Sequence, residues 1–290
     1  MFDKRQIARQ FDRSAAHYER YDGLQRLMND ELLKWVSPCN TIADLGCGSG
    51  RALARLAELD PGSVRIGVDL ASAMLGQART RDPQLLCLQA DMEYLPLADQ
   101  SVDLVYSCAA LQWGNPDKVL LETRRILKPG GKLLLGTLVA GSLAEWHQAW
   151  MIAGKMSRVH ALPEVDLLMK KLTGAGLQPL RQRRIEHCFS YATPELMLQD
   201  LKGLGGTHAS ADRPRGLLGK KPVRLIYASS AATYGDGASP IQRCTRDTLQ
   251  MRVARGLGKR RAAHVDVRVA RHVTVPARNE VIVRPSDGRT

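Results

Sequence analysis

Apolar residues return along this chain with two different periods, and the change from one to the other marks out its elements. Near the N-terminus Ile7 and Phe11, then Leu24, Leu27, Met28, Leu32 and Leu33, recur every three or four positions, which predicts helix over residues 2–36 with one side facing a core. From residue 42 short apolar runs take over. They predict strands at 42–45, 64–70, 85–90, 101–107 and 132–139. Helices are predicted at 51–59 and 117–127, with a turn at Lys128-Pro129-Gly130-Gly131. Helices alternating with short apolar strands imply a parallel sheet covered by helices on both faces. Further on, a helix opens at 142–150, another spans 163–172, and a sixth strand lies within 176–191. Thr193-Pro194-Glu195 then starts a helix, with a threonine cap, proline in the first position and an acid in the first turn.

The stretch Asp44-Leu45-Gly46-Cys47-Gly48-Ser49-Gly50 joins the first strand to its helix. Glycine at alternate positions allows a sharp turn and lets a ligand lie against the backbone. The spacing is Asp-x-Gly-x-Gly-x-Gly, which differs from the Gly-x-Gly-x-x-Gly of dinucleotide folds, where a pyrophosphate sits on the helix N-terminus. An acid immediately ahead of the glycines favours a ligand that carries an amine. S-adenosylmethionine is such a ligand, with its α-amino group meeting Asp44 and its body lying along Gly46, Gly48 and Gly50. The stretch resembles motif I of class I methyltransferases.

Two more acids follow at strand ends. Asp69, followed by Leu70, closes the second strand about twenty residues past the glycines, where a carboxylate can accept from both ribose hydroxyls. Asp91-Met92 follows the third strand, with the acid positioned for the adenine amino group and the thioether for the ring face. One loop aspartate is a weak sign, but three acids ending three successive strands mark the edge at which open α/β sheets bind ligands. Ser107, ending the fourth strand, and Ala109 to Trp113 close the far side of this pocket. Residues 14–21 (Ser-Ala-Ala-His-Tyr-Glu-Arg-Tyr) read either as part of an amphipathic helix or as a lid that brings Tyr18 over the pocket.

At 290 residues with 44% hydrophobic content, the chain has the composition of a soluble globular protein of one large domain or two modest ones. The first thirteen residues mix charges with single apolar side chains, so no signal peptide is expected, and the most apolar run, 133–139, is too short to span a bilayer. Six cysteines form no C-x-x-C pair and no zinc spacing, which suits reduced thiols in a cytoplasmic protein without a metal. The net charge is +13, and residues 221–290 carry 14 basic against 5 acidic residues. That basic tail has no aromatic residue after Tyr234, so the stacking platform of single-strand nucleic-acid binders is missing and no nucleic-acid partner is expected.

Several segments beyond the generic core resemble one family, the malonyl-acyl carrier protein O-methyltransferases of biotin synthesis. They are residues 11–33 with His17-Tyr18 and Leu24-Gln25, Leu111-Gln112-Trp113, Thr137-Leu138-Val139 with Gly141-Ser142-Leu143, His147-Gln148-Ala149-Trp150, and Leu201-Lys202-Gly203 with Thr207-His208. The resemblance covers about residues 8–215. It implies a Rossmann-like class I methyltransferase, mostly parallel with a seven-stranded type of sheet, and methyl transfer from S-adenosylmethionine to the free carboxylate of a malonyl thioester. The thioester is carried by acyl carrier protein or by coenzyme A. On this resemblance Tyr18, Gln112, Trp113, Lys202 and His208 place the substrate carboxylate, and Arg181, Arg183 and Arg184 are candidates to dock the acidic carrier. A monomer without membrane attachment is expected.

The resemblance ends near Lys221. Residues 222–235 (Pro-Val-Arg-Leu-Ile-Tyr-Ala-Ser-Ser-Ala-Ala-Thr-Tyr-Gly) resemble a fragment of a nucleotide-sugar epimerase acting on ADP-heptose. Such enzymes need Tyr-x-x-x-Lys, yet Tyr227 and Tyr234 are each followed four residues later by alanine, so a working epimerase is excluded. The chain is therefore expected to divide into a methyltransferase domain, 1–220, and an atypical, poorly ordered basic segment, 221–290. The last strand that the family inserts into its sheet is not evident, and 223–228 and 281–283 are the candidates to replace it.

Overall fold

A computed structural model of the protein describes residues 3–144, 162–189, 191 and 194–205, and the backbone of four strands beyond them. In chain order the elements are α1 (Lys4–Ser14), a 3₁₀ turn (Tyr18–Arg20), α2 (Gly23–Leu33), β1 (Thr41–Leu45), α3 (Arg51–Leu59), β2 (Val64–Asp69), α4 (Ser72–Arg81), β3 (Leu86–Gln89) and β4 (Val102–Cys108). A second 3₁₀ turn (Leu111–Trp113) precedes α5 (Pro116–Ile126), β5 (Leu127–Leu138), α6 (Val165–Gly174), β6 (Leu177–Phe189) and α7 (Pro194–Gly203). Strands β7 (Arg224–Tyr227), β8 (Thr248–Ala254), β9 (Val267–Ala270) and β10 (Val273–Pro285) follow.

Seven strands form the main sheet in the order β3-β2-β1-β4-β5-β10-β6. The first five are parallel to one another, and β10 runs antiparallel between β5 and β6. The chain order reverses direction at β1 and β4, so the carboxyl ends of these two strands open a crevice at the centre of the sheet. Alternation within the strands sends side chains to two cores. Ala43, Leu45, Val105, Leu133 and Leu135 join one cluster with Val119, Leu120, Ile126, Leu168 and Leu172 from α5 and α6. Ile42, Leu104, Tyr106 and Leu134 join the other with Leu32, Leu53, Leu56 and Ala78 from α2, α3 and α4. Both faces of the central strands are thus dry, which is why these strands read as continuous apolar runs.

Three expectations change. The helical stretch over 2–36 is two helices separated by the 3₁₀ turn at Tyr18–Arg20. The turn at 128–131 is absorbed as an irregular start of β5, where the pairing with β4 slips between Val102 and Leu104. The family's last strand is present: β10 pairs with β5 from Arg278↔Leu138 to Val283↔Leu133 and with β6 along most of its length. Without it, β5 and β6 would each leave a row of backbone groups unpaired. Its sequence, Val-Thr-Val-Pro-Ala-Arg-Asn-Glu-Val-Ile-Val-Arg-Pro, is rich in β-branched residues, which favours strand despite its basic surroundings. Of the two candidates, 281–283 fills this place, while Arg224–Tyr227 belongs to a separate three-stranded sheet, β7-β8-β9.

Candidate active site

The glycine loop leaves β1 at the crevice and enters α3. Gly46, Gly48 and Gly50 all have positive φ, at 74°, 55° and 74°. They are not equivalent. A Cβ on Gly46 would lie 2.4 Å from the Cβ of Ala110, and one on Gly50 would lie 2.7 Å from that of Ala78, so both let neighbouring chain come close. Around Gly48 nothing lies within 4 Å of the same position. Its open side forms a cradle that a side chain would fill and a ligand can use.

Two carboxyl groups flank this cradle. Asp44, 2% exposed at the end of β1, has its pKa pushed well above the usual range, first by burial and then by the nearby Asp69. Asp69 accepts from the backbone N–H of Gly48 and of Ala71, both at 2.9 Å, so it braces the loop. Burial raises its pKa, and these backbone bonds offset only part of that effect. A carboxylate has about four lone-pair sites, so Asp69 retains acceptor capacity for hydroxyl groups. A buried acid that is costly to ionise alone, beside an open glycine cradle, fits a cationic amine together with a ribose. These residues fit S-adenosylmethionine.

Helix α1 and the following turn lie over this edge. Ile7 is buried, and Phe11 packs edge-on against Trp113 and Tyr18 at ring-centroid distances of 5.5 and 6.4 Å. Lys4 reaches Asp91 at 3.2 Å and Glu93 at 2.6 Å, and Asp12 accepts from the backbone N–H of Ala73 at 2.8 Å. The 3₁₀ turn is then fastened by charge. Ser49 of the glycine loop donates to Glu19 at 2.6 Å, Arg51 pairs with the other Glu19 oxygen at 2.9 Å, and Arg81 binds Glu19 and both oxygens of Ser49. Burial works against the Glu19 carboxylate, but the bonds from Ser49 and Arg81 and the two arginine charges outweigh it and hold its pKa below the usual value. Asp22, 2% exposed, pairs with Arg51 and Arg26, yet its burial prevails and its pKa is raised. The segment 14–21 is thus tied by charge to the glycine loop and to the start of α3.

The other expected residues fall into distinct places. Tyr18 is half-buried at the pocket beside Asp22 and Asp44, and burial foremost, then Asp22 and Asp69, raise its pKa, so its hydroxyl remains a neutral donor. Trp113 stands against Phe11, whereas Gln112 donates to Ala109 O at 2.7 Å and so braces the turn that carries Trp113. The Ser107 hydroxyl is buried and donates to Leu45 O at 2.9 Å, tying β4 to β1 beneath the crevice. Asp91 lies at the end of β3 but already receives Lys4 and the backbone N–H of Glu93. The Met92 side chain is buried in the core shared with α5, against Gly114, so its thioether is occupied by packing rather than offered to a ring. The backbone carbonyl of Leu70 accepts from Gln89 at 3.1 Å. Lys202 is exposed on α7, whose next residue, Gly203, sits so close to the Tyr21 ring that a Cβ would overlap it at 2.0 Å. His208 lies outside the described residues.

Of the arginines expected to dock a carrier, Arg181 covers the Trp35 ring at 4.3 Å and Arg183 pairs with Glu31 at 3.0 Å, both within the protein's own α2 region. A different basic surface is present on α1. Arg5, Arg9 and Arg13 recur at four-residue spacing on its exposed face, opposite Ile7, and none forms an ion pair among the described residues. Sequence reasoning missed this stripe and the Glu19–Ser49 clamp. The stripe was readable from its spacing; the clamp joins residues thirty positions apart and had no local signal. Among the described residues no helix is long and apolar enough to cross a membrane, and no group of three or more His, Cys, Asp or Glu is placed to hold a metal.

Comparison with known proteins agrees with this geometry. Residues 43–135 match the family model described as a methyltransferase domain. A malonyl-acyl carrier protein O-methyltransferase of Halorhodospira halophila is 35% identical over 237 residues, 79% of this chain and 80% of that protein. The corresponding protein of Alcanivorax borkumensis is 34% identical over 81% of this chain and 82% of its own length. Among solved structures, a Haloferax volcanii methyltransferase complex with the Trm112 activator matches with a TM-score of 0.52 at 28% identity, covering 60% of this chain and 78% of that one. A Bacillus halodurans structure solved as a methyltransferase candidate shares the fold, with a TM-score of 0.53 at 17% identity over 89% of this chain and 99% of that one. With its glycine cradle, its strand-end acids and relatives of this identity over most of their length, the chain is an S-adenosylmethionine-dependent methyltransferase and belongs to the malonyl-acyl carrier protein O-methyltransferase family.

Proposed function

We propose that the protein methylates the free carboxylate of a malonyl thioester borne by acyl carrier protein, giving the methyl ester that begins biotin synthesis. The observation that carries this reading is the place of Tyr18, which lines the same cleft as Asp44 and Gly48. A phenol is neutral near pH 7 even without a shift, so Tyr18 is suited to donate a hydrogen bond there and unsuited to remove a proton. A carboxylate acceptor is already ionised near neutral pH and needs no base. What it needs is a donor to hold one oxygen while the other is aimed. The names of the relatives support the same substrate class.

S-adenosylmethionine supplies a methyl group activated on a sulfonium. The protein's own residues have three tasks. Asp44 and Asp69 with the open side of Gly48 hold the cofactor; Tyr18 holds the acceptor oxygen; the Phe11–Trp113 pair keeps water from the reacting carboxylate. Alignment of this kind, with reacting atoms about 3–3.5 Å apart, supplies much of the rate in bimolecular transfers. Lys202 remains a proposed contact of the substrate from the side of Tyr21, His208 remains one by family resemblance alone, and Gln112 acts through the turn that presents Trp113.

The exposed arginines of α1 lie on the side of that helix turned away from Phe11, whose ring packs on Trp113 and Tyr18. An acidic carrier docking there would bring its thioester arm to the pocket. The test is transfer of labelled methyl from S-adenosylmethionine to malonyl-carrier protein, malonyl-coenzyme A and acetyl-carrier protein. A base-labile ester on both malonyl thioesters, with the carrier form preferred, is the expected result. Labelling of the acetyl form at an equal rate would sink the carboxylate reading.

A further inference from the structure

We infer that Gln25 of α2, together with Asp44, receives the α-ammonium group of the cofactor, which makes α2 a wall of the cofactor site as well as a core helix. The inference rests on the cofactor reading above and adds a residue and a role to it.

Three buried side-chain oxygen atoms among the described residues have no hydrogen-bond partner: Asp22 Oδ1, Gln25 Oε1 and Thr123 Oγ1. Asp22 and Gln25 line one cleft, the one that also contains Asp44 and Gly48. A buried acceptor left unpaired costs about 1–3 kcal/mol, so two of them in one place point to a partner. Asp22 is already compensated in part by the Arg26 guanidinium at 3.2 Å. Gln25 Oε1 has no such neighbour among the described residues and shares its cleft with the buried Asp44 carboxyl, whose ionisation is opposed by burial.

The position of α2 is fixed independently. Asn29, one turn beyond Gln25, accepts from the Tyr106 hydroxyl at 2.8 Å, and Tyr106 is fully buried on β4 as the register partner of Asp44. The face of α2 that carries Gln25 and Asn29 is therefore pinned to the strand pair that carries the acid. The chemistry asked for by this cleft is that of a compact cation with several N–H groups, able to meet a carboxylate and an amide oxygen at once. The adenine amino group carries no charge, and the ribose offers only hydroxyls. The α-ammonium is the one part of S-adenosylmethionine that fits.

The test compares the binding of S-adenosylmethionine with that of 5′-methylthioadenosine, which keeps the nucleoside and lacks the amino-acid end, by calorimetry on the full chain. Gln25→Met keeps the volume and removes the acceptor. It should raise the Kd for S-adenosylmethionine about tenfold, the scale of a hydrogen bond to a charged group, and leave methylthioadenosine unchanged. Gln25→Glu, which keeps an acceptor, should retain affinity for S-adenosylmethionine within about threefold on the same scale. Equal weakening of both ligands would assign Gln25 a structural role and overturn the inference, as would no change in either. Unaltered chain that binds methylthioadenosine but gains nothing from the amino-acid end would overturn it too. Failure of the unaltered chain to bind either ligand would instead remove the cofactor reading beneath it.

Discussion

Ser49 and Glu19 meet at 2.6 Å, hydroxyl to carboxylate, and this bond ties the glycine loop to the turn at Tyr18–Arg20. Because Arg51 and Arg81 converge on the same carboxylate, the loop and the turn form one electrostatic unit. If this turn closes over a bound cofactor, exchange requires the clamp to open. Glu19→Gln should raise the dissociation rate of S-adenosylmethionine several-fold, read by stopped-flow displacement. Its effect on the unfolding temperature should be small, because the Glu19 side chain is 34% exposed and such pairs contribute about 0–1 kcal/mol. An unchanged dissociation rate would separate the turn from cofactor retention.

Burial of the Asp44 carboxyl costs the ligand-free fold stability at neutral pH. Its pKa is raised in the folded chain, so the folded state holds that proton more tightly than the unfolded state does. Its contribution to stability is complete below the unfolded value of about 3.9 and is lost as pH rises through the raised folded value. Asp69 acts in the same direction over its own raised range. Asp44→Asn should therefore raise the unfolding temperature of the ligand-free protein at neutral pH while abolishing the further rise given by S-adenosylmethionine. Thermal denaturation with and without ligand checks both halves.

The same shift predicts proton release. An ammonium beside Asp44 favours the ionised acid and lowers its pKa, so binding S-adenosylmethionine should expel a proton at pH values between the free and bound pKa. Affinity should fall as pH drops through that window. Calorimetry in two buffers of different ionisation enthalpy reads the proton directly. Tyr18 stays neutral throughout, and the raised pKa of Cys47, caused by burial and then by Asp69 and Asp44, keeps its thiol uncharged.

The glycines of the loop should separate by substitution. Gly46→Ala places a methyl 2.4 Å from Ala110 and should destabilise the fold by about 1–3 kcal/mol or more. Gly48→Ala meets nothing within 4 Å. It carries only the left-handed backbone cost of about 1–2 kcal/mol, so the chain should fold yet lose most of its affinity for S-adenosylmethionine. Chemical denaturation and ligand titration on the two variants decide the point. Equal affinity in the Gly48 variant would place the cofactor elsewhere.

Charge on α1 should govern the carrier and not the cofactor. Reversing Arg5, Arg9 and Arg13 to Glu should raise KM for a malonyl-carrier protein and leave KM for malonyl-coenzyme A and for S-adenosylmethionine nearly unchanged. The difference should shrink as salt is added, since exposed charges are screened over about 10 Å at 0.1 M ionic strength. Equal effects on both thioesters would point to damage at α1 instead of a docking surface.

The alternation of short apolar strands with helices, and the acids at strand ends after the glycines, were legible because each is written in consecutive residues. Period two and period 3.6 are local properties of the backbone, and a glycine loop with an acid before it states its chemistry within seven positions. Residues 43–135, where the methyltransferase family model matches, hold most of that alternation.

Packing against distant chain decided the rest. Met92 looked like a ring-binding residue by its place after Asp91, but the space beneath α5 took its side chain into the core. Ser107 and Gln112 looked like pocket donors, but backbone carbonyls nearby claimed them. The last strand was obscured because Val273–Pro285 lies in a basic stretch without amphipathic period; what settles it as a strand is the pair of unfilled ladders on β5 and β6, which no local reading can see. The sequence by itself determined the strand–helix alternation, the class of cofactor and the glycine loop with its acid, since those depend on neighbours along the chain. Only the tertiary structure decided which polar side chains remained available to a ligand, because a hydrogen-bonding group is free or spent according to what folds against it.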